Sequence, residues 1–546
     1  MPLPTAHVDT FARENLPAAG DLPQTLFSLA SLQFPDRVNC ASAILERQIA
    51  AGHSGTVAII APGAKWTYAD LNARANRIAR VLVEDFGIVP GNRVLLRGPN
   101  NPMLAACWFA VLKAGAIAVA TMPLLRARDL APIISKARIN LALCDARLLE
   151  ELNQAGAEST PFPIVPFDGV DSAASGADLN LRMRKKPGSF SAVDTARDDV
   201  ALIAFTSGTT GVPKGTLHFH GDVLAMNATA GVHAFKIRPG DVMIGSPPLA
   251  FTFGLGALLT FPLSAGATTV LLESVSAPDL LQGINDYQAT VCATAPTAYR
   301  AMLRHMGALA PPSLRRCISA GEHLPLETFE HWRQRTGISI MNGLGTTEML
   351  HMFLGADGPD IRPGSAGKAL PGYEVRILGP DGAPLPPGKS GCLAVRGPTG
   401  CKYMADPRQR DYVVNGWNLT GDFCSMDTDG YVWYESRADD MIVSAGYNIS
   451  GPEVEEALLP HPAVLECAVV AAPDVERGHV VKAFIVPAPG YTAGPELTRA
   501  LQELVKGSIA PYKYPRLIEY VDALPKTYTG KLQRNLLRAR AAESRQ

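Results

Sequence analysis

The chain has 546 residues, with 50 Lys and Arg against 51 Asp and Glu, a formal net charge of −1. That balance argues against a general nucleic-acid binder, which carries a basic surplus. A composition of 47% hydrophobic and 18% charged residues excludes a disordered chain, and the length predicts roughly three to four folding units.

The opening MPLPTAHVDTFAREN lacks a basic segment followed by an apolar one, so no secretory signal and a cytoplasmic location are expected. The nine cysteines, Cys40, Cys107, Cys144, Cys292, Cys317, Cys392, Cys401, Cys424 and Cys467, are odd in number and form no CxxC pair. They read as small buried hydrophobes in a reducing compartment, with neither a disulfide framework nor a zinc site. Strands are predicted over Arg93–Leu96, Ala116–Thr121, Leu141–Cys144, Val200–Phe205, Val242–Gly245, Thr268–Leu272, Thr290–Ala293, Arg316–Ser319 and Ile338–Met341. Helical stretches such as Asp222–Val232 and Leu326–Arg335 alternate with them, which predicts largely parallel sheets covered by helices. The Ser-, Ala-, Gly- and Asp-rich segment from Asp168 to Lys186 reads as a surface loop. Ser246 through Leu272 is uncharged, but Pro247, Pro248, Gly254, Gly256, Pro262 and Gly266 break it, so a buried helix and strand are expected and no membrane span.

After Pro371 the pattern changes to antiparallel strands, Tyr373–Leu378 and Gly391–Arg396, with tight turns at Gly379-Pro380-Asp381-Gly382 and Asp429-Gly430. Charged residues then precede the apolar strand Met441–Ser444. The remaining hundred or so residues have signals for a small second domain. The predicted division is 1–438 and 439–546.

One loop carries chemistry on its own account. Val200–Phe205 runs into Thr206-Ser207-Gly208-Thr209-Thr210-Gly211-Val212-Pro213-Lys214-Gly215: four hydroxyls, three glycines and a lysine after a buried strand. Glycines let consecutive N–H groups form a concave nest for phosphate oxygens, the hydroxyls add donors and Lys214 adds charge. The spacing is not that of a Walker A loop.

This loop resembles the signature of the acyl-adenylate-forming superfamily, which includes acyl- and aryl-CoA ligases, peptide-synthetase adenylation domains and luciferases. Gly345-Thr346-Thr347-Glu348, Thr420-Gly421-Asp422, Arg437 with Asp439, and Pro525 to Lys531 resemble its other motifs, in the family's order. Thr347 to His351 and Phe251-Thr252-Phe253-Gly254 resemble the benzoate and 2-aminobenzoate branch of CoA ligases, and His7–Pro17 and Asn100–Leu125 most resemble 2-aminobenzoate-CoA ligases. The resemblance implies an α/β fold: a large N-terminal domain with helix-covered, largely parallel sheets and a β-rich subdomain, then a small mobile C-terminal α+β domain. It implies ATP, Mg²⁺ and coenzyme A as co-reactants and a small aromatic carboxylic acid as partner, with homodimerisation left open.

The same resemblance distributes roles. Thr206, Ser207, Gly208, Thr209, Thr210, Gly211 and Lys214 would cradle ATP phosphates. Asn342, Gly343, Leu344 and Gly345 would line one face of adenine, with Ser319 to Glu322 on the other; Leu344 stands where many relatives have Tyr. Thr346 would bind ATP, Thr347 would donate its hydroxyl to the α-phosphate, Glu348 would ligate Mg²⁺, and Asp422 and Arg437 would hold the ribose. Lys531 would bridge carboxylate and α-phosphate, and Asp439 would be the hinge. Ala445, Gly446 and Tyr447 would line the thiol channel, with Arg477 and Lys506 at CoA phosphates or simply solvated. Phe251, Thr252, Phe253 and His351 would form the acyl pocket, with core packing a rival role for both phenylalanines. Arg534, Arg538 and Arg540 are read as solvated surface. The expected reaction is ATP-dependent aryl-CoA ligation, 2-aminobenzoate before benzoate. A medium-chain acyl-CoA ligase and an adenylation enzyme loading a carrier protein are the alternatives.

Overall fold

The structure is a computed structural model and describes residues 3–543 except 158–159, 207–212, 308–310, 438–439, 445–446, 475–476 and 527–531. Six strands form one sheet, in the order Ile164–Phe167, Leu141–Asp145, Arg93–Arg97, Ile117–Thr121, Val200–Thr206 and Lys214–Phe219. All neighbours run parallel except the last, where Lys214–Phe219 turns back on Val200–Thr206 and sets Thr206 opposite Lys214. A seven-stranded sheet runs Ile340–Asn342, Arg316–Ser319, Val291–Thr294, Val242–Gly245, Thr268–Val270, Val57–Ala61 and Ala64–Thr67, parallel up to a final antiparallel hairpin. Strands buried on both faces need continuous apolar runs, and Leu141–Asp145 is buried at every residue.

The helix Pro102–Lys113 packs on strands of both sheets, Arg93–Arg97 and Ile117–Thr121 of one and Val57–Ala61 of the other. It is buried at all 12 positions. Asn101 caps it by accepting from the Leu104 N–H at 2.9 Å, and Pro102 occupies the first turn, where a missing N–H costs nothing. A lysine at the end of so apolar a helix needs every donor satisfied. Lys113 Nζ donates to Glu46 at 2.6 Å, Asn72 at 2.7 Å and Asn76 at 2.8 Å.

The β-rich part is an antiparallel sheet of Glu374–Leu378, Ser390–Arg396, Trp417–Met426 and Val413–Val414, with Val432–Arg437 on the far side of Trp417–Met426. Beyond it, Val464–Asp474, Gly478–Pro487 and Leu517–Tyr520 form a sheet with its own apolar clusters under the helices Gly451–Leu458, Pro495–Ser508 and Arg534–Glu543. This is the expected α/β architecture of a large N-terminal and a small C-terminal part. No helix of the described residues is long and apolar enough to cross a membrane. Seven of the nine cysteines are buried.

Three expectations need correction. The segment 168–186 is not all loop: Asp178–Arg184 is helical and buries Leu179, Asn180 and Met183. There the four-residue spacing of Leu179 and Met183 outweighs the turn-forming residues before it. The strand expected at Ile338 starts at Ile340, because Thr336 Oγ1 takes the Ile338 N–H in a local turn. The helix expected from Asp222 starts at His220, and Asp222 caps it by accepting from the Phe219 N–H at 2.9 Å.

Candidate active site

The turn Thr346–Met349 is held from four directions by side chains distant in sequence. Thr346 Oγ1 lies 3.3 Å from the Tyr412 hydroxyl and accepts the Met349 N–H at 3.2 Å. The Thr347 carbonyl accepts from the Leu350 N–H at 3.0 Å and lies 2.8 Å from His218 Nε2. Glu348 Oε1 accepts from the Tyr403 hydroxyl at 2.5 Å, and the Met349 carbonyl accepts from Thr399 at 2.8 Å. Leu350 then reverses the chain in the left-handed region, at φ 66°, while fully buried. Lys214, at the exit of the hydroxyl-rich loop, donates to the same Tyr403 hydroxyl at 3.4 Å. Burial first, and Glu348 second, push the Tyr403 hydroxyl far up, so it stays protonated and donates. Thus the two ends of the predicted phosphate loop, Thr206 and Lys214, are paired across a hairpin, and Glu348 lies one tyrosine from Lys214. Ser207, Gly208, Thr209, Thr210 and Gly211 themselves lie outside the described residues.

Arg316–Ser319 and Ile340–Asn342 are adjacent parallel strands with Ser319 beside Asn342, and the Gly343 N–H donates to the Ser319 carbonyl at 3.0 Å. The segments after them, 320–322 and 343–345, therefore leave the carboxyl edge of the sheet side by side, where open α/β sheets bind ligands. Ser319 Oγ and Asn342 Oδ1 are buried without a hydrogen-bond partner among the described residues. A polar ligand would relieve both. Leu344 is half-buried against the main core. Asp422 and Arg437 face each other across two antiparallel strands, with Nη1 2.9 Å from Oδ1. Burial raises the Asp422 carboxyl, and Arg437 opposes that shift.

Of the predicted acyl-pocket residues, Phe253 lies against His351. The His351 ring is buried, with the centroids of Phe261, Phe235 and Phe253 at 4.6, 5.5 and 5.9 Å. Gly256 makes room: a Cβ there would lie 2.5 Å from His351 Cδ2. Burial pushes the imidazole down to about 3, so it is neutral at pH 7. Nε2 lies 3.4 Å from the Phe253 carbonyl, and Nδ1 has no hydrogen-bond partner among the described residues. Phe251 and Thr252 are half-buried where the helix Thr252–Leu255 begins.

Among the C-terminal predictions, Asp439, Ala445, Gly446 and Lys531 lie outside the described residues; Tyr447 pairs with Ser444 in the hairpin Ile442–Ser444 and Tyr447–Ile449. The Arg477 N–H donates to Asp474 at 3.0 Å in the turn between two strands. Lys506, near the end of Pro495–Ser508, donates to Glu503 at 2.8 Å and lies 4.5 Å from the Tyr514 ring centre. The arginines read as solvated are not free. Arg534 makes two hydrogen bonds to the half-buried Glu455, at 2.6 and 2.8 Å, Arg538 pairs with Asp440, and Arg540 pairs with Glu519. Helical spacing marks charges as surface only where no second element covers them. Sequence reasoning also passed over His218, Thr399, Tyr403 and Tyr412, whose approach to the turn depends on backbone pairing of 215–217 with 402–404.

A family model described as AMP-binding enzyme matches residues 45–403, and one for the AMP-binding enzyme C-terminal domain matches 453–531. The benzoate–CoA ligase of Thauera aromatica is 35% identical over 516 residues, covering 93% of this chain and 97% of that protein. The mitochondrial acyl-coenzyme A synthetase ACSM3 of Mus musculus is 34% identical over 486 residues, 87% of this chain and 84% of that one. Among solved structures, the anthranilate CoA ligase AuaEII in complex with anthranoyl-AMP superimposes with a TM-score of 0.88 at 32% identity, covering 94% of this chain and 99% of that chain. The chain belongs to the AMP-binding enzymes, the acyl-adenylate-forming superfamily that its motifs resemble.

Proposed function

We propose that this chain activates a benzoate-type acid, 2-aminobenzoate before benzoate, and transfers it to coenzyme A. It is an AMP-forming CoA ligase of the benzoate–CoA ligase type, which uses ATP, Mg²⁺ and coenzyme A. The aryl reading rests on one observation: three phenylalanines enclose a neutral histidine whose Nδ1 lacks a partner. An aromatic acid gains edge or offset contacts with Phe253. An ortho amino group in a dry pocket needs an acceptor, since an unpaired donor costs about 1–3 kcal/mol, and Nδ1 of neutral His351 is one. The solved anthranilate CoA ligase supports the same choice.

A carboxylate is a poor acyl donor because its anionic oxygen does not leave. Attack of that oxygen on the ATP α-phosphate expels pyrophosphate and gives an acyl-adenylate; a thiol then displaces AMP. In our reading, Thr206, the loop 207–211 and Lys214 hold the phosphates, and Thr346 and Thr347 donate to the α-phosphate. Asn342 Oδ1 accepts from the adenine amino group between Gly343, Leu344 and Gly345, and Asp422 accepts from the ribose hydroxyls while Arg437 holds it in place. Glu348 fits a hard divalent cation: Tyr403 occupies Oε1, Oε2 has no hydrogen bond among the described residues, and no cluster of three acidic, His or Cys side chains surrounds it. Phosphates and water would complete such a shell, and Mg²⁺ there neutralises charge that would repel the attacking carboxylate. Lys531 delivers a positive charge to the carboxylate and α-phosphate. The unit 439–546 turns at Asp439 between adenylation and a state in which Ala445, Gly446 and Tyr447 line the thiol's path, with Arg477 and Lys506 toward CoA phosphates.

The likeness to an acyl-coenzyme A synthetase, ACSM3, supports a second reading, an acyl-CoA ligase, for which a medium-chain acid is the test substrate. Phe253→Ala separates the two. Losing the ring contact should lower kcat/KM for benzoates by about tenfold or more while sparing octanoate. Equal losses on both acids would take the ring contact out of acid selection, and octanoate preferred over every benzoate would favour the second reading.

A further inference from the structure

The turn that carries Thr347 and Glu348 has a buried brace that the reaction scheme above leaves unused. His218 is fully buried: its Nε2 lies 2.8 Å from the Thr347 carbonyl, and its Nδ1, 3.6 Å from Asp222 Oδ2, has no hydrogen-bond partner among the described residues. A carbonyl only accepts, so Nε2 carries the proton. Asp222 is itself fixed, accepting from Lys402 Nζ at 2.9 Å and from the Phe219 N–H at 2.9 Å. Burial works to raise its carboxyl, and the Lys402 charge foremost more than offsets this, so it stays ionised. Lys402 also donates to the Gly400 carbonyl at 3.1 Å, and the next residue is Tyr403, whose hydroxyl holds Glu348.

We propose that His218 is a positioning residue for adenylation: its Nε2–H fixes the Thr347 carbonyl from behind the turn, and with it the orientation of the Thr347 hydroxyl and the Glu348 carboxylate. The geometry supports a directional role over mere filling. The turn 346–349 is irregular, and its polar groups are satisfied largely by side chains of other elements. Thr347 is the residue whose carbonyl takes two donors at once. Freed from His218, that peptide can rotate about the remaining Leu350 bond, and reacting groups misplaced by an ångström lose rate steeply.

This inference rests on assigning Thr347 and Glu348 to adenylation. Its test replaces His218 by Gln, Asn and Leu in the full chain and reads two half-reactions. One is acid-dependent exchange of pyrophosphate into ATP; the other is transfer from synthetic acyl-AMP to CoA. A glutamine amide nitrogen reaches the position of Nε2, whereas an asparagine nitrogen stops at that of Nδ1. Gln is therefore expected to retain exchange, while Asn and Leu lose about 10–100-fold in kcat for exchange, the range typical when an orienting partner of a functional group is removed. KM for the acid and the transfer half-reaction should stay near wild type in all three. Asn matching Gln in exchange, or both half-reactions falling together at unchanged melting temperature, overturns the proposal; should Leu not fold, Gln against Asn decides alone. A wild-type enzyme with no acid-dependent exchange would instead remove the adenylation reading, and the proposal with it.

Discussion

Position 256 shows how one missing atom can set a pocket. The His351 ring occupies the space that any side chain at 256 would need, with Cδ2 2.5 Å and Nε2 2.6 Å from a Cβ built there. Three aromatic rings close in on the imidazole, which leaves it little room to retreat. Gly256→Ala should therefore overpack the core by about 1–3 kcal/mol and displace His351. We expect a lower melting temperature and a loss of about tenfold in kcat/KM for 2-aminobenzoate relative to benzoate, because the acceptor for the amino group moves. Steady-state kinetics with the two acids is the check; an unchanged ratio would take His351 out of acid recognition. Much of this was legible beforehand. Phe253 and His351 were paired as candidates on motif alone, and their rings lie 5.9 Å apart. Phe235 and Phe261 were not, because nothing in a local pattern tells a core phenylalanine from one that encloses a functional histidine.

At the scale of elements, charged helices mislead most. Arg534, Arg538 and Arg540 follow the C-terminal lysine motif and look like a solvated face, yet Arg534 grips Glu455, 79 residues earlier, with both carboxylate oxygens engaged. Burial raises the Glu455 carboxyl, and Arg534 and the Val469 N–H hold it in place. Arg538 pairs with Asp440, so the helix Arg534–Glu543 is tied to the chain just after the proposed hinge. Arg534→Met should leave a partly buried carboxylate without its cation, at about 1–3 kcal/mol. Hydrogen exchange should then quicken across 451–458 and 464–487 while the two large sheets stay protected. Unchanged protection in those segments would mean that the pair contributes little. The phosphate hairpin shows the opposite case: the strand Val200–Thr206 was foreseen, but Lys214–Phe219 was not, since its apolar alternation is short and sequence gives no sign of the 402–404 segment that pairs with it.

Over the whole molecule, several histidines are buried neutral, and this couples folding to pH. Burial pushes His220 and His351 down to about 3 from an ordinary value of 6.5. A base whose folded value is depressed binds fewer protons in the native state, so its contribution is complete above pH 6.5 and is lost as pH falls from there toward 3. At pH 5.5 each histidine should contribute about 1.4 kcal/mol less than at pH 7.5, or about 3 kcal/mol for the pair. His7 and His218 shift in the same direction, whereas Asp422 and Glu455, raised by burial, act oppositely where carboxylates titrate. Denaturant midpoints at pH 7.5 and 5.5 measure the difference, and equal stability at both would contradict it. The change from alternating α/β to antiparallel strands after Pro371 was legible, since period and turn residues are local. How the parts meet was not, because contacts such as the Leu326 N–H to Glu456, 3.1 Å, join segments 130 residues apart. The central claim, that this chain adenylates a benzoate-type acid before transferring it to coenzyme A, is tested most directly by pyrophosphate exchange into ATP without CoA, acid by acid. The account predicts exchange that depends on the acid and ranks 2-aminobenzoate and benzoate above octanoate, with the CoA ester appearing only when CoA is added. No exchange with any acid, or octanoate above every benzoate, would contradict it.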